Sequence, residues 1–313
     1  MKITIIHGQN HKGSTYHLAR SLAEKIGGEI TEFFLPKDFG EFCVGCTACF
    51  MDSETKCPHY ARLSPITEAM DEADVIILAS PVYVMHASGA MKAFLDHYGY
   101  RFMVHRPEEK MFSKQGVVIS TAAGAGTKGA NKDMADSLFW WGVGKVYKHG
   151  TAVFETSWDR VSKKKKLSED KKLSALAGKI KARYGRVKPG IKTKMIFGVM
   201  RIMQKNGFNK TDMDHWKAKG WTEKKRPWKK QSFMMIEIEY YKYDIFLLGK
   251  KRSRDVLLKE LEEVERDHDK NEDNFTELLC KKYGWVMIDK AQNPESPEYT
   301  YDRDIGQLVE PRY

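Results

Sequence analysis

Over its first 150 residues the chain alternates helical patterns with short runs that are apolar at every position. In Val75-Ile76-Ile77-Leu78-Ala79 both faces of a strand are hydrophobic, so both must be covered. That requires a parallel sheet held between two layers of helices, a doubly wound α/β domain. Strands are predicted over 2–7, 29–34, 75–80, 115–121 and 144–153, and helices over 14–26, 64–72, 90–97 and 131–140.

Beyond this pattern, residues 160–187 read as a charged helix ending near Gly185, before the break Lys188-Pro189-Gly190. Met195 to Met203 gives a short, basic, methionine-rich helix. Such a helix lies on a membrane surface, packs over a cofactor domain or fills a subunit interface, and without a second anchoring signal a packed site is preferred. Trp216, Trp221 and Trp228 are expected to fold back on the core. Near residue 231 the pattern changes. Ile236-Glu237-Ile238-Glu239-Tyr240 alternates like a half-exposed strand, 243–248 suits a hairpin partner, 255–264 and 275–283 read as helices, and 285–288 as a further strand. The expected organisation is a first domain over 1–230 and a small α+β domain over 231–313. Cys280, beside Phe275, Leu278 and Leu279, reads as a core thiol.

The formal net charge is +11, but it is not spread evenly. Residues 1–150 hold 16 basic and 16 acidic side chains, 151–230 hold 24 and 7, and 231–313 hold 13 and 19. The excess is mainly a solvated lysine-rich helical face such as Lys163 to Lys166, and an anionic partner is the alternative. No nucleic-acid role is expected. No run of eighteen apolar residues occurs and the first residues enter a strand directly, so a cytoplasmic protein without a membrane span is expected.

Three loops carry candidate chemistry. Gly8 to Thr15 joins a buried strand to a helix N-terminus, whose free N–H groups and positive dipole end bind phosphate. Gln9, His11, Ser14 and Thr15 offer side-chain donors and Lys12 a charge. The glycines fit neither G-x-G-x-x-G nor the Walker spacing, so a single phosphate is expected there. A second loop, with Pro81, Val82, Tyr83 and Val84, leaves the C-terminal end of the most apolar strand, where open α/β sheets bind ligands, and Tyr83 can lie along an aromatic ring. The third, with Thr121, Ala122, Ala123, Gly124 and Gly126, contains a formal G-x-G-x-x-G in the wrong strand-helix unit for a dinucleotide; its small residues let backbone approach a flat ring.

Together with Gly89-x-x-Lys92-Ala93-Phe94-Leu95-Asp96 and the tail Asp214-His215-Trp216-Lys217-x-Lys219-Gly220-Trp221, these loops resemble the NAD(P)H-dependent FMN reductases of flavodoxin fold, particularly the iron-sulfur flavoproteins. The resemblance covers about residues 1–230. It implies a flavodoxin-like domain whose first loop holds the FMN phosphate while the second and third border the ribityl chain and isoalloxazine.

Four of five cysteines follow Cys43-x2-Cys46-x2-Cys49-x7-Cys57. In a chain of this length without a secretion signal, this is no disulfide framework. Two successive x2 spacings wrap one corner of a cubane and a fourth thiolate closes it, which favours iron-sulfur over zinc. The resemblance implies a 4Fe-4S cluster. The segment 39–60, expected to lack secondary structure, should emerge at the same sheet edge as the phosphate loop. The implied reaction is hydride transfer from NADH or NADPH to flavin, then onward to a quinone-like or protein acceptor. No catalytic residue is assigned; Tyr83 and His86 are the nearest candidates. The rivals are a non-enzymatic electron carrier and a zinc-stabilised binding module. A homo-oligomer is expected from the apolar 195–203 helix.

Overall fold

The structure, a computed structural model, describes residues 1–207 and 209–228, residue 263 and five strands beyond residue 232. The chain divides into two compact units, Met1–Lys229 and Lys230–Tyr313.

In the first unit, strands β1 (Lys2–His7), β2 (Glu29–Phe34), β3 (Val75–Tyr83), β5 (Gln115–Ala122) and β6 (Lys145–Ala152) form a parallel sheet in the order β2-β1-β3-β5-β6. A two-residue strand, β4 (His86–Ala87), folds back antiparallel on the end of β3. The order reverses between β1 and β3, which opens a crevice beyond their carboxyl ends. This is the flavodoxin-like topology.

The in-phase register explains the continuous apolar runs. Ile3 pairs with Val75 and Ile5 with Ile77, and these side chains point to one face, where α1 (Ser14–Ile26) and α6 (Lys163–Arg183) cover them with Leu18, Leu22, Ile26, Leu173 and Ile180. Ile6, Ile76 and Leu78 point to the other face. There they meet α3 (Tyr60–Glu72), α4 (Gly89–Asp96) and α5 (Thr127–Trp140) through Ile66, Met70, Met91, Phe94 and Leu138.

Helix α3 begins four residues before the expected Ser64 and carries Pro65 inside it. The missing proline N–H leaves one carbonyl free, and the Ser64 hydroxyl reaches the Ala61 carbonyl by a long hydrogen bond of 3.5 Å. Helix α5 begins at Thr127 because Gly126, at φ 98°, makes the left-handed turn into it. Segment 39–60 is not devoid of structure either: it contains α2 (Ala48–Met51) and a single 3-10 turn (Glu54–Lys56), entered through left-handed Gly45 and Thr47.

Past the sheet, α7 (Ile191–Asn206) and α8 (Lys210–Ala218) form a cap. Phe197, Trp216 and Trp221 are fully buried with Met103 and Phe112. The other face of α7 exposes Ile191, Met195, Val199, Ile202 and Met203. That helix is therefore packed on the flavodoxin-like unit by one face only.

In the second unit β7 (Phe233–Tyr240) and β8 (Tyr243–Lys250) pair antiparallel, with β9 (Val286–Asp289) on the other side of β8. A short pair, β10 (Thr300–Asp302) and β11 (Gln307–Val309), stands apart in a sheet of its own. The helices expected over 255–264 and 275–283, and Cys280, lie outside the described residues save for helical residue 263.

Candidate functional site

The three loops meet at the β1/β3 crevice. Gln9, half-buried, donates from Nε2 to the Tyr83 hydroxyl at 2.7 Å, which ties the first loop to the second. Buried Thr15 and Thr121 share a hydroxyl hydrogen bond of 2.6 Å, which ties the first to the third. Pro81 stands in register beside Thr121, and a Cβ on Gly126 would lie 2.6 Å from Val82, so the second and third loops touch. His11 and Lys12 are exposed, with the Lys12 ammonium over the Tyr16 ring, and Ser14 is half-buried. Tyr83, Val84, Ala123 and Gly124 are exposed, while Ala122 is buried in the sheet end.

Residues outside the sequence expectation hold this edge together. Ser88, buried, donates to the Gly8 carbonyl at 2.6 Å and accepts from the Met91 N–H as the N-cap of α4. Its own N–H bonds the buried Ser80 hydroxyl at 2.8 Å. A Cβ on Gly8 would meet the Ser88 oxygen at 2.8 Å, so glycine is required for this closeness. The cap was legible: serine directly before an apolar helix is an N-cap signal. At the tip, Val84 and Met85 adopt positive φ, 47° and 70°, and Val84 is 94% exposed. His86 Nδ1 lies 3.1 Å from Asp133.

The N-cap of α1 is Gly13, which has no side chain to cap it, so the first-turn N–H groups remain available to an anion. These features fit FMN: an uncapped helix start for the phosphate, and a glycine-lined cradle beside an exposed tyrosine for the ring. His7, Gln9, His11, Gly13, Thr15, Tyr16, Ala79 and Pro81 line the pocket there. His7 is buried, stacks on Phe34 and lies 2.9 Å from Glu32, and burial pulls its pKa below the ordinary histidine value. At the edge strand β6, where Thr151 pairs with Thr121, buried Glu169 bonds Thr151, His149 and Lys172 at about 3 Å. Burial alone would raise its pKa, but hydrogen bonds from Lys172, Thr151 and Lys165 outweigh it and hold the carboxyl at about 2. Lys165 therefore belongs in part to this buried network.

The cysteine loop is fastened in a different way. Carbonyls of its short helix are captured by distant side chains: Arg106 bonds those of Cys49 and Phe50, Asn209 that of Phe50 at 2.9 Å, and Thr211 that of Met51 at 3.0 Å. Arg106 is held in turn by Asp212, fully buried, at 2.6 Å, and the same carboxylate lies 2.8 Å from His105 Nδ1. The loop therefore has a protein anchor. Cys43 and Cys46 are exposed, and Cys49 and Cys57 half-buried. Burial raises the Cys49 thiol pKa, and the neighbouring Cys57, Cys43 and Cys46 add to the rise. All four are free thiols, and a soft thiolate set of this kind fits an iron-sulfur cluster.

Residues 1–159 match the sequence model of the NADPH-dependent FMN reductases. The chain belongs to that family. An iron-sulfur flavoprotein of Archaeoglobus fulgidus is 32% identical over 106 residues, which is 33% of this chain and 44% of that protein. One of Methanocaldococcus jannaschii is 37% identical over 101 residues, 31% and 51% of the two chains. One of Methanosarcina thermophila is 27% identical over 157 residues, 49% and 76%. The chain spans about half the length of the first two relatives. Among solved structures, a flavone reductase superposes with a TM-score of 0.45 at 16% identity over 60% of this chain and 66% of that one. An FMN-dependent NADH-azoreductase from Bacillus anthracis gives 0.43 at 14% over 58% and 100%. Among the described residues no helix is long and apolar enough to cross a membrane.

Proposed function

We propose that the chain is an FMN-dependent NAD(P)H oxidoreductase that passes electrons from NADH or NADPH to a quinone-like molecule or a redox protein. The observation that carries this reading is the uncapped start of α1 inside a crevice whose three loops are tied by the Gln9–Tyr83 and Thr15–Thr121 hydrogen bonds. When bound, FMN supplies hydride uptake and electron release, chemistry no protein side chain offers. The protein's part is to hold the phosphate on the first-turn N–H groups of α1, with Gln9, Ser14 and Lys12 beside it, and to lay Tyr83 and Val84 against the ring. Thr121 to Gly126 border the ring from the third loop.

Cys43, Cys46, Cys49 and Cys57 would hold a 4Fe-4S cluster that relays electrons. The exposed stripe Ile191, Met195, Val199, Ile202 and Met203 on α7 suits the interface of a homo-oligomer, and a cytoplasmic location suits a set of reduced thiols. The test is direct. Anaerobically purified protein is expected to contain one FMN per chain and to oxidise NADH or NADPH with a quinone or ferricyanide. A flavin-loaded protein that does not oxidise either nucleotide is a carrier, and a colourless zinc protein that takes up no FMN ends the reading altogether.

A further inference from the structure

Cys57 has two neighbours that the four-cysteine motif does not use. One ligand atom each of Cys57, His59 and His97 lies within 4.8 Å of the others, and among the described residues this is the one such group of three. His97 is buried, and His59 and Cys57 are half-buried. His97 Nδ1 stands 2.7 Å from the Ala93 carbonyl, which only accepts, so the ring proton is on Nδ1 and Nε2 carries the lone pair. That Nε2 faces His59 Nδ1 at 2.9 Å. A backbone carbonyl fixing the tautomer of the ring is the outer-shell arrangement that metal-binding histidines use. The buried Phe39 ring meets the His97 ring edge-on at 4.8 Å and the His59 ring at 6.5 Å, which limits the rotation of both.

The spacing suits a single ion. Nitrogen ligands about 2.0–2.1 Å from a tetrahedral zinc lie roughly 3.3 Å apart, close to the separation already present between the two imidazoles. Two imidazoles and one thiolate are a ligand set for a borderline divalent cation. We propose that Cys57, His59 and His97 form a mononuclear site for a zinc-like divalent cation, in competition with the four-cysteine site for Cys57. On binding, the Cys57 thiol loses its proton to solvent, His59 moves its proton to Nε2, and the fourth position is left to water. The two occupancies exclude one another, because one sulfur cannot close the cubane while bound to the separate ion. A chain loaded with the divalent ion accepts no cluster.

The test uses full-length, FMN-loaded, chelator-treated protein titrated with Co²⁺ and then with Zn²⁺. One Co²⁺ per chain is expected, with the thiolate charge-transfer and d–d bands of a tetrahedral site, displaced by Zn²⁺. His97→Gln and His59→Gln should each weaken binding on the order of a hundredfold, whereas Cys43→Ser should leave it unchanged. Unaltered flavin circular dichroism in each variant shows that it has folded. Zinc-loaded wild type, reconstituted anaerobically with iron and sulfide, should take up neither. The proposal is overturned if wild type shows no such bands, if His97→Gln binds Co²⁺ as wild type does, if Cys43→Ser loses the bands, or if zinc-loaded protein acquires a cluster. The iron content of untreated wild type judges the four-cysteine reading separately.

Discussion

The flavin loops and the cysteine loop are fastened by different parts of the chain. The flavin loops are tied by side chains on the sheet and on the helices it launches: Ser80, Ser88, Thr15, Thr121 and Gln9. The cysteine loop is tied by its own carbonyls to Arg106, Asn209 and Thr211, and so depends on a tail that follows the sheet by some sixty residues. One site is built into the fold, the other clamped on afterwards. The two should therefore fail separately.

The largest expected effect breaks one site and spares the other. Cys46→Ser should abolish iron and sulfide in anaerobically prepared protein while leaving the FMN content unchanged, because the phosphate loop and the cysteine loop are separate stretches of chain. Unchanged iron in the variant, or iron-free wild type, would leave a flavin reductase without a cluster.

Next comes the clamp. Asp212→Ala leaves Arg106, which is 9% exposed, buried without its carboxylate, and breaking such a pair costs about 3–5 kcal/mol. The urea midpoint should fall accordingly, and amide exchange over residues 48–51 should quicken, with FMN affinity little altered. Equal loosening of residues 8–15 would show that the two regions are not independent.

At the edge strand beside the third loop, Glu169→Gln should lower stability by about 2 kcal/mol at pH 7, a figure reduced from that of a fully buried pair because Lys172 is about half exposed. The sign follows from the pKa, held down at about 2 against an ordinary value of 4.5. The contribution is complete above 4.5 and disappears as the pH falls through 2. Melting temperatures of wild type and variant should differ at pH 7 and converge near pH 2. A difference that persists there would assign the effect to packing.

The contrast also explains what the sequence disclosed. Strands apolar on both faces announced the sheet, since Val75 to Ala79 has no other way to be covered, and the loops at strand ends followed from the sheet order. The Arg106–Asp212 clamp was silent, because a salt bridge spanning 106 residues leaves no spacing to read. The His59–His97 contact was silent for the same reason, being made between two helices distant in the chain. Lys163 to Lys166 looked wholly solvated; Lys165 and Glu169 are one helical turn apart, but the burial of Glu169 against Thr151 appears only once α6 is laid over β6. Pro65 masked the first turn of α3, as a proline inside a helix usually marks its start.

A smaller effect tests the tie between the first and second loops. Ser88→Ala removes both the N-cap of α4 and the hydrogen bond to the Gly8 carbonyl, at about 1–2 kcal/mol. Thermal denaturation should show that loss, and flavin titration a weakened FMN affinity, since the phosphate loop loses its fixed base. The iron content should not change.

The smallest effect asks whether the tip of the second loop is shaped for the fold or for its ligand. Val84 is β-branched, adopts φ 47° and is 94% exposed, so nothing it covers in the protein repays a conformation that costs about 1–2 kcal/mol for a residue with a Cβ. Glycine at this position removes the clash but gives the unfolded chain about 0.5–1 kcal/mol of extra freedom. The two terms leave Val84→Gly a net gain of about 0.5 kcal/mol in the flavin-free protein. The same substitution releases the turn that carries Tyr83, whose hydroxyl is held by Gln9, so FMN should bind the variant more weakly. Stability and affinity then move in opposite directions, the signature of strain kept for a ligand. Chemical denaturation of the flavin-stripped protein beside a flavin titration reads both signs. A variant less stable without flavin would mean that the turn serves the fold, and the tip would then belong with the sheet-built side of the molecule.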